Sequence, residues 1–363
     1  MKIFEYITQL GSGGGERFTV DLCNELSKRH EVILCISYPL EKYGFYKDDI
    51  SPRVRVVCLN KEKGLDWKLM LRVFNLIRKE RPDVVHTHLT TIIYTAISAM
   101  FQRKTKFVHT VHSAAKQESD GRFGEKIRRF LFSRKLTTPV TISADSLRSF
   151  KEFYNMDAPL INNGRDIPAN LEVSNDVKEE FKKYRRTPDT RVIVQLAHVG
   201  YCKRQDIMAR VSDRLMKEGY DFTVLMIGEI HELQMADSIS AMGNPNILML
   251  GGKHNPLEYL KAADAFALTS SFEGLPISLI EAMGVGLIPV CTPVGGIVNL
   301  VNDGVNGFLA QDISEEAYYT ALKRYLDTPA ENLPAMKAEA LKTYIPFTMV
   351  ECAKKYESLF LKK

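Results

Sequence analysis

The chain has 363 residues, a comfortable length for two domains, with the 45% hydrophobic and 26% charged content of an ordinary soluble globular protein. Its 49 basic and 44 acidic residues leave a net charge of +5, too mild to argue for nucleic acid, and it carries no zinc-finger spacing and no basic and aromatic interleaving of the RNA-recognition kind. No apolar run approaches the roughly 20 residues that span a bilayer, and MKIFEYITQL lacks the apolar core and small-residue cleavage site of a secretory signal, so a cytoplasmic protein is expected.

KIFEYIT reads as a first buried strand, and Gly11 to Glu16, GSGGGE, follows it and opens a helix expected over Glu16 to Lys28. Backbone N–H groups there, including those of Gly14 and Gly15, can approach an anion or a sugar closely. A dinucleotide fingerprint fits poorly, because counting from Gly11 its third glycine position is Glu16, and EVILCIS is followed by Tyr38 and Pro39 rather than by an acid. VRVVCL then precedes a helix from Trp67 to Glu80, DVVHTH one from Thr91 to Phe101, KFVHTV one from Gly124 to Arg134, and TPVTIS one from Ala144 to Phe153. This alternation is that of a doubly wound parallel sheet. The six cysteines, Cys23, Cys35, Cys58, Cys202, Cys291 and Cys352, form no C-x-x-C pair and are expected as buried free thiols in a reducing compartment.

Ligands of parallel sheets gather at the carboxyl ends of the strands. His88 and His112 stand at such ends, whereas His86 and His109 are expected to be buried and hydrogen-bonded within the sheet. Their Thr and Val neighbours, and the lack of a D-x-D motif, argue against a metal. Arg122 to Lys135, RFGEKIRRFLFSRK, combines six basic residues with Phe123, Ile127, Phe130, Leu131 and Phe132. Such a basic amphipathic segment suits an anionic membrane surface, or equally a helix packed by its aromatics with a solvated basic face.

A linker is placed at about 164 to 170, and a second core of the same kind starts near Thr190. RVIVQLA is followed by a helix from Gln205 to Lys217, FTVLMIG by one from Ile230 to Ala241, NILML by one from Pro256 to Ala262; AFALTS, a further helix and LIPVCT complete the series. Lys203 opens the first of these helices. A cation at a helix start is unfavourable for the helix dipole unless it serves an anionic ligand, which makes Lys203 a phosphate contact. Gly228 and Gly252 are strand-end glycines. In SSFEGLPISLIEAMG, Glu273 lies just before a helix expected over Leu275 to Met283 with Pro276 in its first turn, Glu281 lies inside it, and a diglycine turn follows. Eight residues at helical rise separate the carboxylates by roughly 12 Å, beyond the roughly 5 to 10 Å of a hydrolytic acid/base pair. The span suits a ligand with hydroxyls at both ends and phosphates in the middle, a nucleotide diphosphate sugar.

These residues, Ser270-x-x-Glu273-Gly274-x-Pro276-x-x-x-x-Glu281-Ala282, resemble the E-x7-E signature of retaining glycosyltransferases of the GT-B fold, in particular the family 4 group, with one extra residue in GVGLIPV. The resemblance covers nearly the whole chain and is strongest from Asn246 to Leu309. It implies an α/β protein of two Rossmann-like doubly wound domains facing across a cleft. Residues 1–165 would form the acceptor-side domain, 170–345 the donor domain, and 346–363 a helix crossing back to the first. It implies that Glu273 holds the donor sugar, Glu281 the ribose, and His112 the reacting centre. GGGER, with Gly14, Gly15 and Glu16, would line the cleft, as would His88. Lys203 would neutralise the leaving diphosphate with an arginine five residues earlier; here that position is His198, and Arg204 is a substitute. The N–H groups near Gly274 and Leu275 would help. No metal or other cofactor is expected. The implied reaction moves a sugar from a UDP- or GDP-type donor to a hydroxyl, with a lipid-linked saccharide at a membrane's cytoplasmic face as the preferred acceptor. A sugar-nucleotide epimerase of the same fold, or a non-catalytic binding partner, are the rivals.

Overall fold

The computed structural model describes residues 1–62, 66–116, 118 and 121–362. It divides into two compact units, Met1–Arg165 with Met349–Lys363, and Asp166–Thr348.

In the first unit, strands β1 Lys2–Ile7, β2 Glu31–Ile36, β3 Arg55–Cys58, β4 Val84–His88, β5 Lys106–Val111 and β6 Thr138–Thr141 form a parallel sheet in the order β3-β2-β1-β4-β5-β6. β2 and β4 are unbroken buried runs after at most one exposed residue, as strands covered on both faces must be. Phe4, Ile33, Val85 and Phe107 meet Leu69, Val73, Ile92, Leu131 and Phe150 in one apolar core. The helix Met349–Leu361 belongs to this unit and packs on the helix Gly14–Leu26.

The second unit repeats the plan with β7 Arg191–Leu196, β8 Phe222–Ile227, β9 Ile247–Gly251, β10 Ala265–Leu268, β11 Ile288–Cys291 and β12 Phe308–Leu309, all parallel, in the order β12-β11-β10-β7-β8-β9. In each sheet the strand order reverses once, beside β1 and β4 in the first and beside β7 and β10 in the second. A crevice outside the carboxyl ends of the strands opens at such a reversal. The glycine-rich loop and His88 sit at one reversal, and the loops carrying Lys203 and Glu273 at the other.

Several boundaries differ from expectation for identifiable reasons. The first helix begins at Gly14, two residues early, because Gly13 takes the extended capping conformation. The helix expected from Ile230 begins at Leu233, since Ile230 bridges to Val199 as a strand residue. Pro276 stands outside the helix Ile277–Gly284 as its extended cap, with φ −67° and ψ 123°. The separation of Glu273 and Glu281 is therefore not a helical rise, because only its second half is helical. Among the described residues four helices went unmarked in the sequence, the shortest being the single turn Leu40–Tyr43. Asn175–Tyr184 buries only Val177 and Phe181, so it reads as charged linker. Glu315–Asp327 and Leu333–Tyr344 close the second core, the former with Tyr318, Leu322 and Tyr325. All six cysteines are free, but Cys58 is only half-buried and Cys202 is exposed, on the loop leading to Lys203. Among the described residues no helix is long and apolar enough to cross a membrane.

Candidate functional site

Two loops meet at the strand reversal of the second unit. The loop after β7 is stitched internally, the Gln205 amide donating to the His198 carbonyl at 2.8 Å and receiving the Gly200 N–H at 3.2 Å. It is tied to the loop after β10 by Thr269 Oγ1, which donates to the Lys203 carbonyl at 2.9 Å, and by the Ser271 N–H, which donates to the Cys202 carbonyl at 2.8 Å. Backbone held from both sides leaves little freedom to the Lys203 stem. Its ammonium reaches Glu273 Oε1 at 2.7 Å, and the Ser270 hydroxyl donates to the same oxygen at 2.6 Å. Glu273 is 7% exposed and the Lys203 side chain 18%, so water screens this pair poorly. A cation and a carboxylate are thus presented together just before the free N–H groups at the start of Ile277–Gly284, a combination able to meet phosphate and sugar hydroxyl at once.

The rest of the loop bearing Glu273 is fixed by close backbone packing. The Gly296 N–H donates to the Gly274 carbonyl at 2.6 Å, and Thr292 Oγ1 donates to the Ser270 carbonyl at 2.6 Å. Leu275 and Pro276 are buried beneath it, and Glu281 is buried inside the helix. At Gly228 a side chain would lie 2.2 Å from the Ala197 carbonyl, so only glycine lets the end of β8 pass the His198 loop. Gly252 follows β9 beside Glu229.

His198 is half-buried and stacks on His231 with centroids 4.5 Å apart. Burial, then the charge of Lys203, push its imidazole below the usual range, which favours a neutral ring when no anion is bound. Arg204 caps the helix Gln205–Lys217 in the left-handed conformation and donates to the Ile313 carbonyl at 2.7 Å; among the described residues no ion pair or hydrogen bond joins it to Lys203 or Glu273.

In the first unit the register places Glu5 opposite His86 and His88 opposite Thr110. Side chains two apart share a face, so Glu5, His86, His88, Thr110 and His112 line one side of the sheet. Glu5 Oε2 lies 2.9 Å from His86 Nδ1 and 2.8 Å from His88 Nε2, and His88 Nδ1 lies 3.0 Å from His112 Nε2. His86 Nε2 meets Thr110 Oγ1 at 2.8 Å, and Thr110 meets the Tyr356 hydroxyl at 2.7 Å. Burial alone would raise the Glu5 carboxyl, but the charge and hydrogen bonds of His86, then His88, outweigh it and hold it at about 2. Burial and the charge of His86 push His88 down to about 4. Burial, then His88 and His86, push His112 well below the usual imidazole range. His109 faces the other side of the sheet, its Nδ1 2.9 Å from Thr87 Oγ1. His86 and His109 are fully buried and hydrogen-bonded between strands. Glu5, His86 and His88 also offer three candidate metal-ligand atoms within 4.8 Å of one another, but the spacings are those of two imidazoles donating to one carboxylate. Glu5 escaped the sequence reading; its signal was an acid in the middle of an otherwise apolar strand.

A side chain at Gly15 would lie 3.7 Å from His112 Nδ1, so this glycine leaves the ring open toward the start of Gly14–Leu26. Glu16, half-buried in that first turn, is pushed up to about 7 by burial. Further along this unit, Arg128 turns inward, only 2% exposed, and donates to the carbonyls of Leu89 and Glu118. Of the basic amphipathic segment, Leu131 and Phe132 are buried while Phe123 is 51% and Phe130 44% exposed. Trp67, 56% exposed, contacts Phe123 edge-on at 5.7 Å. Beside them opens an apolar pocket of about 300 Å³ lined by Met70, Ile97, Met100, Lys126, Ile127 and Phe130, among others.

Residues 176–343 match the family described as Glycosyl transferases group 1, and residues 12–168 match Glycosyltransferase Family 4. The chain is 25% identical over 322 residues to the UDP-Gal:alpha-D-GlcNAc-diphosphoundecaprenol alpha-1,3-galactosyltransferase of Escherichia coli, covering 85% of this chain and 82% of that protein. It is 24% identical to the capsular polysaccharide biosynthesis glycosyltransferase CapH of Staphylococcus aureus, covering 78% of each. Its fold is similar to that of Anabaena Alr3699/HepE in complex with UDP and glucose, with a TM-score of 0.82, 19% identity and 99% of each chain covered.

Proposed function

The chain belongs to the glycosyl transferases of group 1 and family 4 and is a GT-B glycosyltransferase, and from that premise we propose that it moves a sugar with retention from a UDP- or GDP-type nucleotide sugar to a hydroxyl of a lipid-linked saccharide. The observation that carries the donor half is the Lys203–Glu273 pair at the strand reversal of the second unit. Lys203, with the helix-start N–H groups, stabilises the charge that gathers on the departing diphosphate. Glu273 accepts from a sugar hydroxyl, and Glu281 from the ribose. His198, neutral without ligand, gains a proton when the diphosphate arrives and completes the role of the missing arginine. His112 holds the reacting centre. A UDP-sugar is the favoured donor because the E. coli relative is a UDP-Gal-dependent galactosyltransferase and the Anabaena protein is seen in complex with UDP and glucose.

The donor assignment is tested by thermal denaturation with UDP-, GDP- and ADP-sugars, alongside nucleotide release. A donor present at about 100 times its Kd adds about 2.7 kcal/mol of stability, which raises the melting temperature by several degrees. One base is expected to give both the shift and nucleotide release. A shift without release in any acceptor extract favours the non-catalytic binding role, and no shift with any nucleotide sugar overturns the donor site.

The acceptor class is supported by the exposed aromatic face of the first unit. Trp67, Phe123 and Phe130 are exposed aromatics, and Phe130 lines an apolar pocket together with Lys126, a pattern that suits interfacial burial against anionic headgroups. Arg128 takes no part, being buried. Burying each aromatic contributes about 1.5–3 kcal/mol, so Phe123→Ser with Phe130→Ser is expected to weaken sedimentation with anionic vesicles at least tenfold while preserving nucleotide-sugar binding. Unchanged vesicle binding removes this surface from the acceptor assignment.

A further inference from the structure

The two imidazoles between Glu5 and the glycine-rich turn allow a tautomer assignment by donor counting. A carboxylate only accepts, so His88, 2.8 Å from Glu5 through Nε2, carries its proton there. A neutral His88 then has an accepting Nδ1, and the group facing it at 3.0 Å is His112 Nε2, which must donate. A neutral His112 is left with a bare Nδ1. Among the described residues that nitrogen has no hydrogen-bond partner, and it faces the space that the absent side chain of Gly15 leaves open. The neutrality of both rings accords with their depressed pKa values.

We infer that Glu5 and His88 form a buried relay whose function is to hold His112 with its Nδ1 unprotonated, as a hydrogen-bond acceptor for a substrate hydroxyl. The inference rests on the glycosyl-transfer reading for its substrate, but not for its geometry. Glu5 and His88 are positioning residues acting through His112. The arrangement is rigid, since Phe18 contacts His88 and His112 edge-on at 6.0 and 5.5 Å, and Tyr356 and Phe360 cover His86 at 5.0 and 5.7 Å. The chargeable groups around it are Glu5 from β1, His86 and His109 from β4 and β5, Cys23 from Gly14–Leu26, Tyr356 from Met349–Leu361, and Glu118, whose Oε1 accepts from the His112 backbone N–H at 3.2 Å; Arg128 acts on His109. Glu5 reaches the His112 ring by way of His88, and His86 and Tyr356 join the same hydrogen-bonded path only through Glu5.

The test is a long-range proton–nitrogen spectrum of the histidine-labelled full chain. His112 is expected to carry its proton on Nε2 and to stay neutral as the pH is lowered from 8 through 6.5, where an unfolded imidazole takes up a proton. Over that range the unfolded state binds more protons, so stability is full above about 6.5 and declines as pH falls. A proton on His112 Nδ1 in the wild-type protein overturns the relay, whatever the variants do. Glu5→Gln offers an N–H to one of its two imidazoles. Where that imidazole is His88 its polarity reverses, so His112 gains an Nδ1 proton, and kcat is expected to fall about 10²-fold with donor KM little changed. A folded Glu5→Gln in which His88 carries its proton on Nδ1 while His112 keeps its tautomer and kcat overturns the inference. The expected tautomer in a protein that transfers no sugar upholds the relay and overturns the glycosyl-transfer reading; turnover with the opposite tautomer does the reverse.

Discussion

Glu273→Gln is expected to leave a folded protein whose kcat falls about 10²- to 10³-fold, the scale on which removing one preorganised transition-state contact acts. The substitution keeps the shape of the side chain and removes its charge. Lys203, held by its backbone at Thr269, then has an amide oxygen where it had a carboxylate at 2.7 Å. A hydrogen bond to a charged group contributes about 1.5–3 kcal/mol, and that of Lys203 is weakened rather than lost, so the stability change stays small beside the loss of rate. Ser270 can still donate to the amide oxygen, which keeps the loop in place. Steady-state kinetics with the preferred donor provide the check, with Lys203→Met as companion. If both act on the same charge-separated transition state, their combined effect is far less than the product of the two. Full activity in Glu273→Gln sinks the assignment of this loop as the donor site.

Gly295→Ala is expected to be the most disruptive single-methyl change in the second unit. Gly295 has φ +55°, and a side chain there would stand 1.9 Å from the Glu273 carbonyl oxygen and 2.7 Å from its carbon. The left-handed conformation costs a non-glycine residue of order 1–3 kcal/mol, and forcing an atom into a packed site costs a further 1–3 kcal/mol. A total of about 2–6 kcal/mol is expected, read by denaturant unfolding. The Glu273 peptide must move to admit the methyl, so any folded Gly295→Ala protein should also lose the thermal shift given by the donor. Gly121→Ala separates the two causes. Gly121 has φ +71° and, among the described residues, nothing within 4 Å of the added carbon, so the conformational cost is the one expected. Equal losses at the two sites would mean that the contact with Glu273 contributes nothing.

The strands and the donor loop were legible because their signals are local. β2, β7 and β8 are short apolar runs closed by turns, and Glu273, Pro276 and Glu281 fall within one window of sequence. What escaped depended on partners far along the chain. Glu5 is an isolated acid in a strand until pairing brings His86 and His88, more than eighty residues later, onto its face. Arg128 counted as a surface charge because nothing nearby in sequence announces that the carbonyls of Leu89 and Glu118 will receive it. Pro276 was placed inside the helix because proline suits both a first turn and the residue that caps it, and its φ of −67° serves either. The helix Glu315–Asp327 went unnoticed because its buried face is built from tyrosines, which fit strands as readily.

The polar layer on the β1–β4–β5 face is sealed by the last helix of the chain. Tyr356 bonds Thr110 and lies against His86, Phe360 covers the same ring, and Lys106 reaches the Leu359 carbonyl at 2.6 Å. Synthesis runs in one direction, and the whole second unit lies between β6 and that helix. At about 5–20 residues per second, the first sheet waits roughly ten to forty seconds on the ribosome before its lid is translated. For that interval an acid and two histidines intended for a dry interior stand open to water. The first unit is thus the earliest part of the chain to be made and among the last to be finished, and a ribosome halted anywhere in the second unit leaves it incomplete.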